Sequence, residues 1–187
     1  MYQDLSTFNL PTGFRGRPAW FVQLWWLVQS SFFRLSPQPA YAWRRFILRL
    51  FGATIGEGTL IRSTVTVTYP WKLRVGKNVW IGDSAILYTL SPITIGDNTV
   101  VSQLCHLCAA DHDFTISSFP IRGKSITIGH QVWLASDVFV APGISVGDYT
   151  VVGARSSIFR SLPDRMICFG TPCTPVRPRQ LSALTSS

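Results

Sequence analysis

His112 stands between two carboxylates, in Asp111-His112-Asp113, and is one of three histidines in the 187 residues. An imidazole titrates at about pH 6.5, so at neutral pH it can take a proton from a hydroxyl. Asp111 or Asp113 could orient such a base or raise its basicity. A surface-loop histidine is the plain alternative. His106 lies in Cys105-His106-Leu107-Cys108 and, with His112, raises a zinc reading. Direction argues against it. Successive residues of an extended segment point to opposite faces, so Cys105 faces inward where His106 faces outward. His130 follows Gly129 at a corner. Cys168 and Cys173 lie far along the chain, so the cysteines read as small buried residues of a reducing compartment, with no metal expected. No Walker loop, dinucleotide fingerprint or Gly-x-Ser-x-Gly elbow is present.

The elements that must hold His112 follow from a repeat. From Ile128 to Pro163 the chain reads in sixes, opening at Ile128, Leu134, Val140, Val146, Val152 and Ile158. Five of the six openings are followed by Gly or Ala. Such a period points to a parallel β-helix. Three units make one triangular coil of 18 residues. The aliphatic residue at place one points inward and stacks on its counterpart in the next coil. The Gly at place two is expected to supply a positive φ and a tight approach at the corner. Earlier coils open at Ile55, Val75 and Ile95, 20 residues apart, with the extra residues near Tyr69-Pro70 and Ser91-Pro92. From Ile95 to Ile128 the spacing is 33, which places one insertion at 109–125. That long loop carries His112, and a long loop on a rigid scaffold is the usual seat of function. The fold class is therefore an all-β repeat, a parallel β-helix with one long inserted loop.

The N-terminal part differs. Met1 to Pro18 reads as an irregular lead-in. Ala19 to Leu35 is apolar on almost every side and reads as a helix ended by Pro37 and Pro39. A second helix is expected over Tyr41 to Phe51. There Trp43, Phe46, Ile47 and Leu50 share an apolar face, and Arg44, Arg45 and Arg49 lie off it. The pair reads as a cap on the open end of the β-helix, and also as a peripheral membrane contact. Ala40-Tyr41-Ala42 looks like a signal cleavage site, but the bulky aromatics before it argue against one. No run reaches the roughly 20 apolar residues that span a bilayer. The organisation is 1–52 extension and cap, 53–163 β-helix, and 164–187 C-terminal segment, with Leu181 to Ser187 a disordered tail. The net charge of +8 favours anionic partners. Nucleic acid is not among them, because the basic residues are scattered and no recognition module is visible.

These residues carry a family. The chain resembles the hexapeptide-repeat acyltransferases with a left-handed parallel β-helix, and within them the colanic-acid-biosynthesis acetyltransferases. The matching stretches include Gly16-Arg17-Pro18, Val22 to Val28, Trp43 to Phe46, Tyr69-Pro70-Trp71-Lys72, His112-Asp113, Val140-Ala141-Pro142-Gly143 and Val151 to Ser156. The resemblance covers about Arg15 to Arg179 and implies a homotrimer; the expected place is the cytoplasm, with the apolar, basic N-terminal helices as a contact with the inner face of the plasma membrane. Acetyl-CoA would lie in the groove between adjacent prisms. It implies an O-acetyltransferase acting on a sugar hydroxyl of an exopolysaccharide or a lipid-linked oligosaccharide acceptor. His112 would be the general base in a direct transfer, assisted by Asp113, with backbone N–H groups at the oxyanion. By position, Trp133, Ser136, Ala154, Arg160 and Arg177 match the cofactor-binding residues. Where simple sugar acetyltransferases hold the acceptor with Asn and Asp, this chain has Gly82 and Leu90. Asp83, Tyr88 and Asp111 become the acceptor candidates, and Thr174 replaces one basic residue of the family. An N-acyltransferase on the same scaffold is one alternative. A non-enzymatic or metal-dependent β-helix is another, but a γ-class carbonic anhydrase needs a histidine pair five apart, which His106, His112 and His130 do not form.

Overall fold

The computed structural model describes residues 2–181. The expected tail beyond Leu181 lies outside the described residues. Two helices come first, α1 (Ala19–Val28) and α2 (Tyr41–Leu50), with a π-type turn, Gln29–Phe33, continuing α1. The first coil then holds β1 (Thr54–Ile55), β2 (Leu60–Ile61) and β3 (Thr66–Val67). The second holds β4 (Leu73–Val75), β5 (Trp80–Ile81) and β6 (Ile86–Tyr88), and the third β7 (Ile93–Ile95), β8 (Val100–Val101) and β9 (His106–Cys108). An antiparallel hairpin interrupts the winding, β10 (Ala110–His112) with β11 (Ile121–Gly123). Two more coils follow: β12 (Ile126–Ile128), β13 (Trp133–Leu134), β14 (Phe139–Val140), then β15 (Ser145–Val146), β16 (Val151–Val152), β17 (Ser157–Ile158). The repeat outlasts Pro163, because β18 (Met166–Gly170) adds a sixth strand to the second face before β19 (Cys173–Pro178) turns back antiparallel.

Corresponding strands of successive coils pair in parallel and make three faces. Place-one residues form three buried ladders. The first runs Ile55, Val75, Ile95, Ile128, Val146. The second runs Ile61, Ile81, Val101, Leu134, Val152 and ends on Cys168. The third runs Val67, Leu87, Leu107, Val140, Ile158. Register matters here because a one-residue slip would turn each ladder outward.

The glycines at place two correct the expectation. Gly96 has an ordinary φ, and its role is proximity: a Cβ there would lie 2.6 Å from the Gly129 carbonyl carbon in the next coil. The left-handed residue comes two positions later, at Asn78, Asn98, Gln131 and Tyr149, with φ between 54° and 62°.

The helices close the first-coil end through side chains. A terminal coil has strand edges with no further coil to pair them, and a buried unpaired carbonyl is costly. Arg44 and Arg45 donate to the Ile61 and Thr59 carbonyls of the second face, and Arg49 donates to Ile55 O on the first, at 2.6 and 2.9 Å. On the third face Trp25 Nε1 donates to Val67 O at 2.8 Å, and Gln29 Oε1 accepts from Val67 N at 2.7 Å. The apolar face read from the sequence of helix α2 is therefore split. Arg44, Ile47 and Leu48 are buried, while Trp43, Phe46 and Leu50 face solvent. Carbonyl pairing outweighed apolar periodicity.

The insertion and both two-residue extensions fall at the corner between the third face and the first. Pro70–Lys72 follows β3, Leu90-Ser91-Pro92 follows β6, and the hairpin follows β9. Lys124 N donates to Ala109 O at 3.0 Å and closes the hairpin base.

Candidate active site

Strand β10 alternates, so its neighbours diverge. Asp111 and Asp113 point to one side and meet Arg122, which is the register partner of Asp111. Arg122 donates to Asp111 Oδ1 at 3.0 Å and Oδ2 at 3.2 Å, and to Asp113 Oδ2 at 3.3 Å. Asp113 Oδ1 also accepts from the Thr115 hydroxyl and from Thr115 N. These two bonds, then Arg122, hold the Asp113 carboxyl below its ordinary range. Neither carboxylate is hydrogen-bonded to His112, so the expected Asp–His pairing does not form. Asp113 instead shapes the hairpin turn, a common use of aspartate.

His112 points the other way, half-buried. Its Nδ1 lies 2.8 Å from the Phe119 carbonyl. A carbonyl can only accept, so Nδ1 carries the proton, and neutral His112 presents its lone pair at Nε2. The Phe119 ring stacks on the imidazole at 4.3 Å between centroids and 10° between planes, and Phe8 of the lead-in closes from the side at 6.0 Å. Phe119 has φ 50°. The left-handed region costs a bulky residue about 1–2 kcal/mol, and here that conformation aims its carbonyl at Nδ1. The orienting group is thus a main-chain carbonyl on a residue that sequence reasoning passed over, since a residue's type says nothing of where its carbonyl points. Arg122 was missed too, although its place across from Asp111 in a hairpin would have revealed it.

The lead-in is more ordered than expected. Asp4 N donates to Ser117 O at 2.7 Å, and further on Trp71 Nε1 donates to Arg15 O at 2.7 Å. Lys72 Nζ bridges Phe14 O and Leu90 O, both at 2.6 Å. The segment straps the hairpin to the corner beneath it.

The other candidates form a second group. Trp133 lies outward on the second face, its Nε1 donating to Ser102 Oγ at 3.1 Å. Ser136 stands at the corner between second and third faces, accepting from Gln103 Nε2 at 2.6 Å. Ala154 occupies the same corner one coil on, exposed, and its neighbour Arg155 N donates to Ser136 O at 2.9 Å. Arg177 is exposed on β19, opposite Ile167 of the second face. Asp83 lies near this edge, held by Arg62 at 2.7 Å and by Thr64 at 2.8 Å. Arg160 is exposed at the corner between third and first faces, below the hairpin. Tyr88 shares that corner, packed with Ala110 and Ile121 at the hairpin base, and burial pushes its phenol up. In one chain, therefore, His112, Tyr88 and Arg160 follow one edge, while Trp133, Ser136, Ala154 and Asp83 follow another.

No family model matches the chain. A single relative decides the family. The protein of Escherichia coli K12 named as the colanic acid biosynthesis acetyltransferase WcaF, a role its own name marks as provisional, is 54% identical over 177 residues, 95% of this chain and 97% of the relative. The chain belongs to the hexapeptide-repeat acetyltransferases. The galactoside O-acetyltransferase of the same organism is 28% identical over 142 residues, 72% of this acetyltransferase and 68% of the relative. Among solved structures, a galactoside acetyltransferase in complex with coenzyme A superposes with a TM-score of 0.81 at 23% identity, covering 92% of this acetyltransferase and 85% of that chain. A hexapeptide-repeat acetyltransferase of Vibrio cholerae complexed with acetyl coenzyme A gives 0.77 at 20% identity, covering 90% and 88%. These likenesses bear on fold. The acetyltransferase is a left-handed β-helix, against the right-handed rule for crossovers. Each crossover runs through the other two strands of its coil and lays no α-helix across the sheet, so the packing that enforces the rule is absent.

Cys105 is buried, and His106 faces outward between Tyr88 and Phe139. Among the described residues no group of three or more His, Cys, Asp and Glu side chains could hold a metal. The four cysteines are free, and burial pushes the Cys105 and Cys168 thiols up to about 11.

Proposed function

We propose that this acetyltransferase moves an acetyl group from acetyl-CoA to a hydroxyl of a sugar, on an exopolysaccharide or its lipid-linked precursor. The observation that carries the reading is the Nδ1 contact of His112 with the Phe119 carbonyl, which leaves Nε2 as the acceptor. His112 Nε2 takes the hydroxyl proton as the sugar oxygen bonds to the thioester carbonyl carbon. The carbon–sulfur bond then breaks, and the proton passes from the imidazolium to the departing thiolate. Backbone N–H groups stabilise the oxyanion. The transfer is direct and uses no covalent enzyme intermediate.

Acetyl-CoA fits the second edge. Trp133 offers an exposed apolar wall, Ser136 and Ala154 offer a corner row for the pantetheine arm, and Arg177 offers a guanidinium for phosphate. His112 and Arg160 lie on a different edge of the prism. A donor reaching both needs the edge of a neighbouring chain, which supports a homotrimer with three shared sites. In that arrangement Asp83 of one chain faces the His112 edge of another, and Asp83 and Tyr88 are the acceptor contacts; Asp111, tied to Arg122, supports the hairpin.

The test is CoA release from acetyl-CoA with a panel of nucleotide-linked and lipid-linked sugars, comparing wild type with His112→Ala. Acceptor-dependent release should fall about 10²–10⁴-fold in the variant. Equal turnover would remove His112 from the mechanism. Product cleaved by hydroxylamine is an ester; a resistant product would be an amide and would overturn the hydroxyl acceptor.

A further inference from the structure

Helix α2 leaves apolar side chains without cover. Leu24 and Leu27 of α1, Phe32 of the π-type turn, and Trp43, Phe46 and Leu50 of α2 all point outward; Leu27 is 64% exposed, Phe32 65%, Phe46 55% and Leu50 67%. The two helices share this surface. Trp43 Nε1 donates to Phe32 O at 3.1 Å, and the Trp43 and Phe46 rings stack at 5.9 Å. A patch of this kind on a monomer marks an interaction surface.

Charge chooses the occupant. Between Asp4 and Glu57 the chain has no acidic residue and six arginines. Arg44, Arg45 and Arg49 are spent on coil carbonyls. Arg34 is exposed between Phe33 and Leu35 and makes no ion pair among the described residues. A second copy would bring another acid-free, positive face against this one. An anionic bilayer brings negative charge and an apolar interior together. We infer that the outward face of α1 and α2 docks this protein on an anionic lipid surface, lying in the headgroup region with the aromatic and aliphatic side chains inserted.

Docking is peripheral. Helix α1 has 10 residues and the π-type turn that continues it 5, together about 22 Å at most, short of the roughly 30 Å hydrocarbon core. Among the described residues no helix is long and apolar enough to cross a membrane. The hairpin with His112 leaves the third coil, two coils from the capped end, about 10 Å at the spacing of parallel strands. The helix layer adds about 10 Å more, so, taken with the proposed function, the reaction lies about 20 Å above the docking face, within reach of a sugar chain on a lipid-linked acceptor.

The experiment is flotation of the full chain with vesicles of phosphatidylcholine alone and of phosphatidylcholine with about one-third phosphatidylglycerol. Wild type should float with the anionic vesicles, and less so as salt rises. Phe32→Ser with Phe46→Ser should weaken binding about 100-fold, at about tenfold per side chain. Arg34→Glu should weaken it about fivefold or more and flatten the salt dependence. These side chains are exposed, so the melting curve should not move. If the double variant unfolds, Leu27→Glu on the other helix gives the same reading. The inference is overturned if wild type stays behind from anionic vesicles, if the double variant binds as well as wild type, or if the variants reduce the oligomeric mass of a protein that ignores vesicles. No donor or acceptor enters this assay, so its failure leaves the acetyltransfer reading standing.

Discussion

Arg44 offers the sharpest test of how the solenoid is terminated. It is fully buried on α2, and its guanidinium donates to four acceptors: Ile61 O of the second face, Ser36 Oγ at 2.9 Å, Pro37 O at 3.0 Å and Gln38 O at 2.6 Å. Arg44→Met keeps much of the aliphatic stem and removes every donor. A hydrogen bond to a charged group contributes about 1.5–3 kcal/mol net. The Ile61 carbonyl is buried and stays unpaired, so its full share is lost. The other three acceptors lie on the partly buried connection between the helices, where water recovers most of their contribution. The expected loss is about 4 kcal/mol, or about 8–16 °C in Tm for a chain of this size. Arg45 makes one such bond, to Thr59 O at 2.8 Å, and is only partly buried. Arg45→Met should therefore cost about 1–1.5 kcal/mol. The assay is thermal unfolding followed by circular dichroism at one protein concentration, because assembly would make Tm concentration-dependent. An Arg44→Met shift as small as that of Arg45→Met would refute the idea that α2 is held by pairing coil carbonyls.

Three further outcomes follow from the geometry. Gly96→Ala puts a methyl 2.6 Å from backbone of the next coil and should cost about 3 kcal/mol or more; Gly123→Ala, whose nearest atom is Ser91 Cβ at 3.2 Å, should cost about 1 kcal/mol or less, both read from denaturant midpoints. Asp113→Asn should change the rate less than about tenfold, far less than His112→Ala, because its carboxylate does not touch the imidazole. Its depressed folded pKa means that the stabilisation it provides is complete above the unfolded carboxyl value and is lost as pH falls through the lower folded one. Stability curves of wild type and Asp113→Asn should therefore converge below about pH 4, and parallel curves would sink that assignment.

What was legible in the sequence followed from local periodicity. A buried aliphatic every six residues leaves one architecture able to stack them, and the spacing from Ile95 to Ile128 alone locates the insertion. The rest depended on partners distant in sequence. The arginines of α2 face inward because they meet carbonyls 6 to 17 residues on, which helical periodicity does not encode. The glycines at place two are read as turn formers when the chain is viewed alone; their need is set by the next coil, 16 to 33 residues away. At the site, His112 was legible as a side chain between carboxylates, and its true orienting group was not, because the carbonyl of Phe119 has no signature in the alphabet of side chains.

The hairpin has a consequence for how such a protein can change. It leaves the prism at one corner and returns to it, and its base is sealed by the bond from Lys124 N to Ala109 O. On either side, Leu107 and Ile126 resume the buried register without a break. The segment that carries His112 is thus a cassette. Its length and turn can be rewritten while the ladders beneath it keep their spacing, so selection can alter the hairpin without re-registering the scaffold.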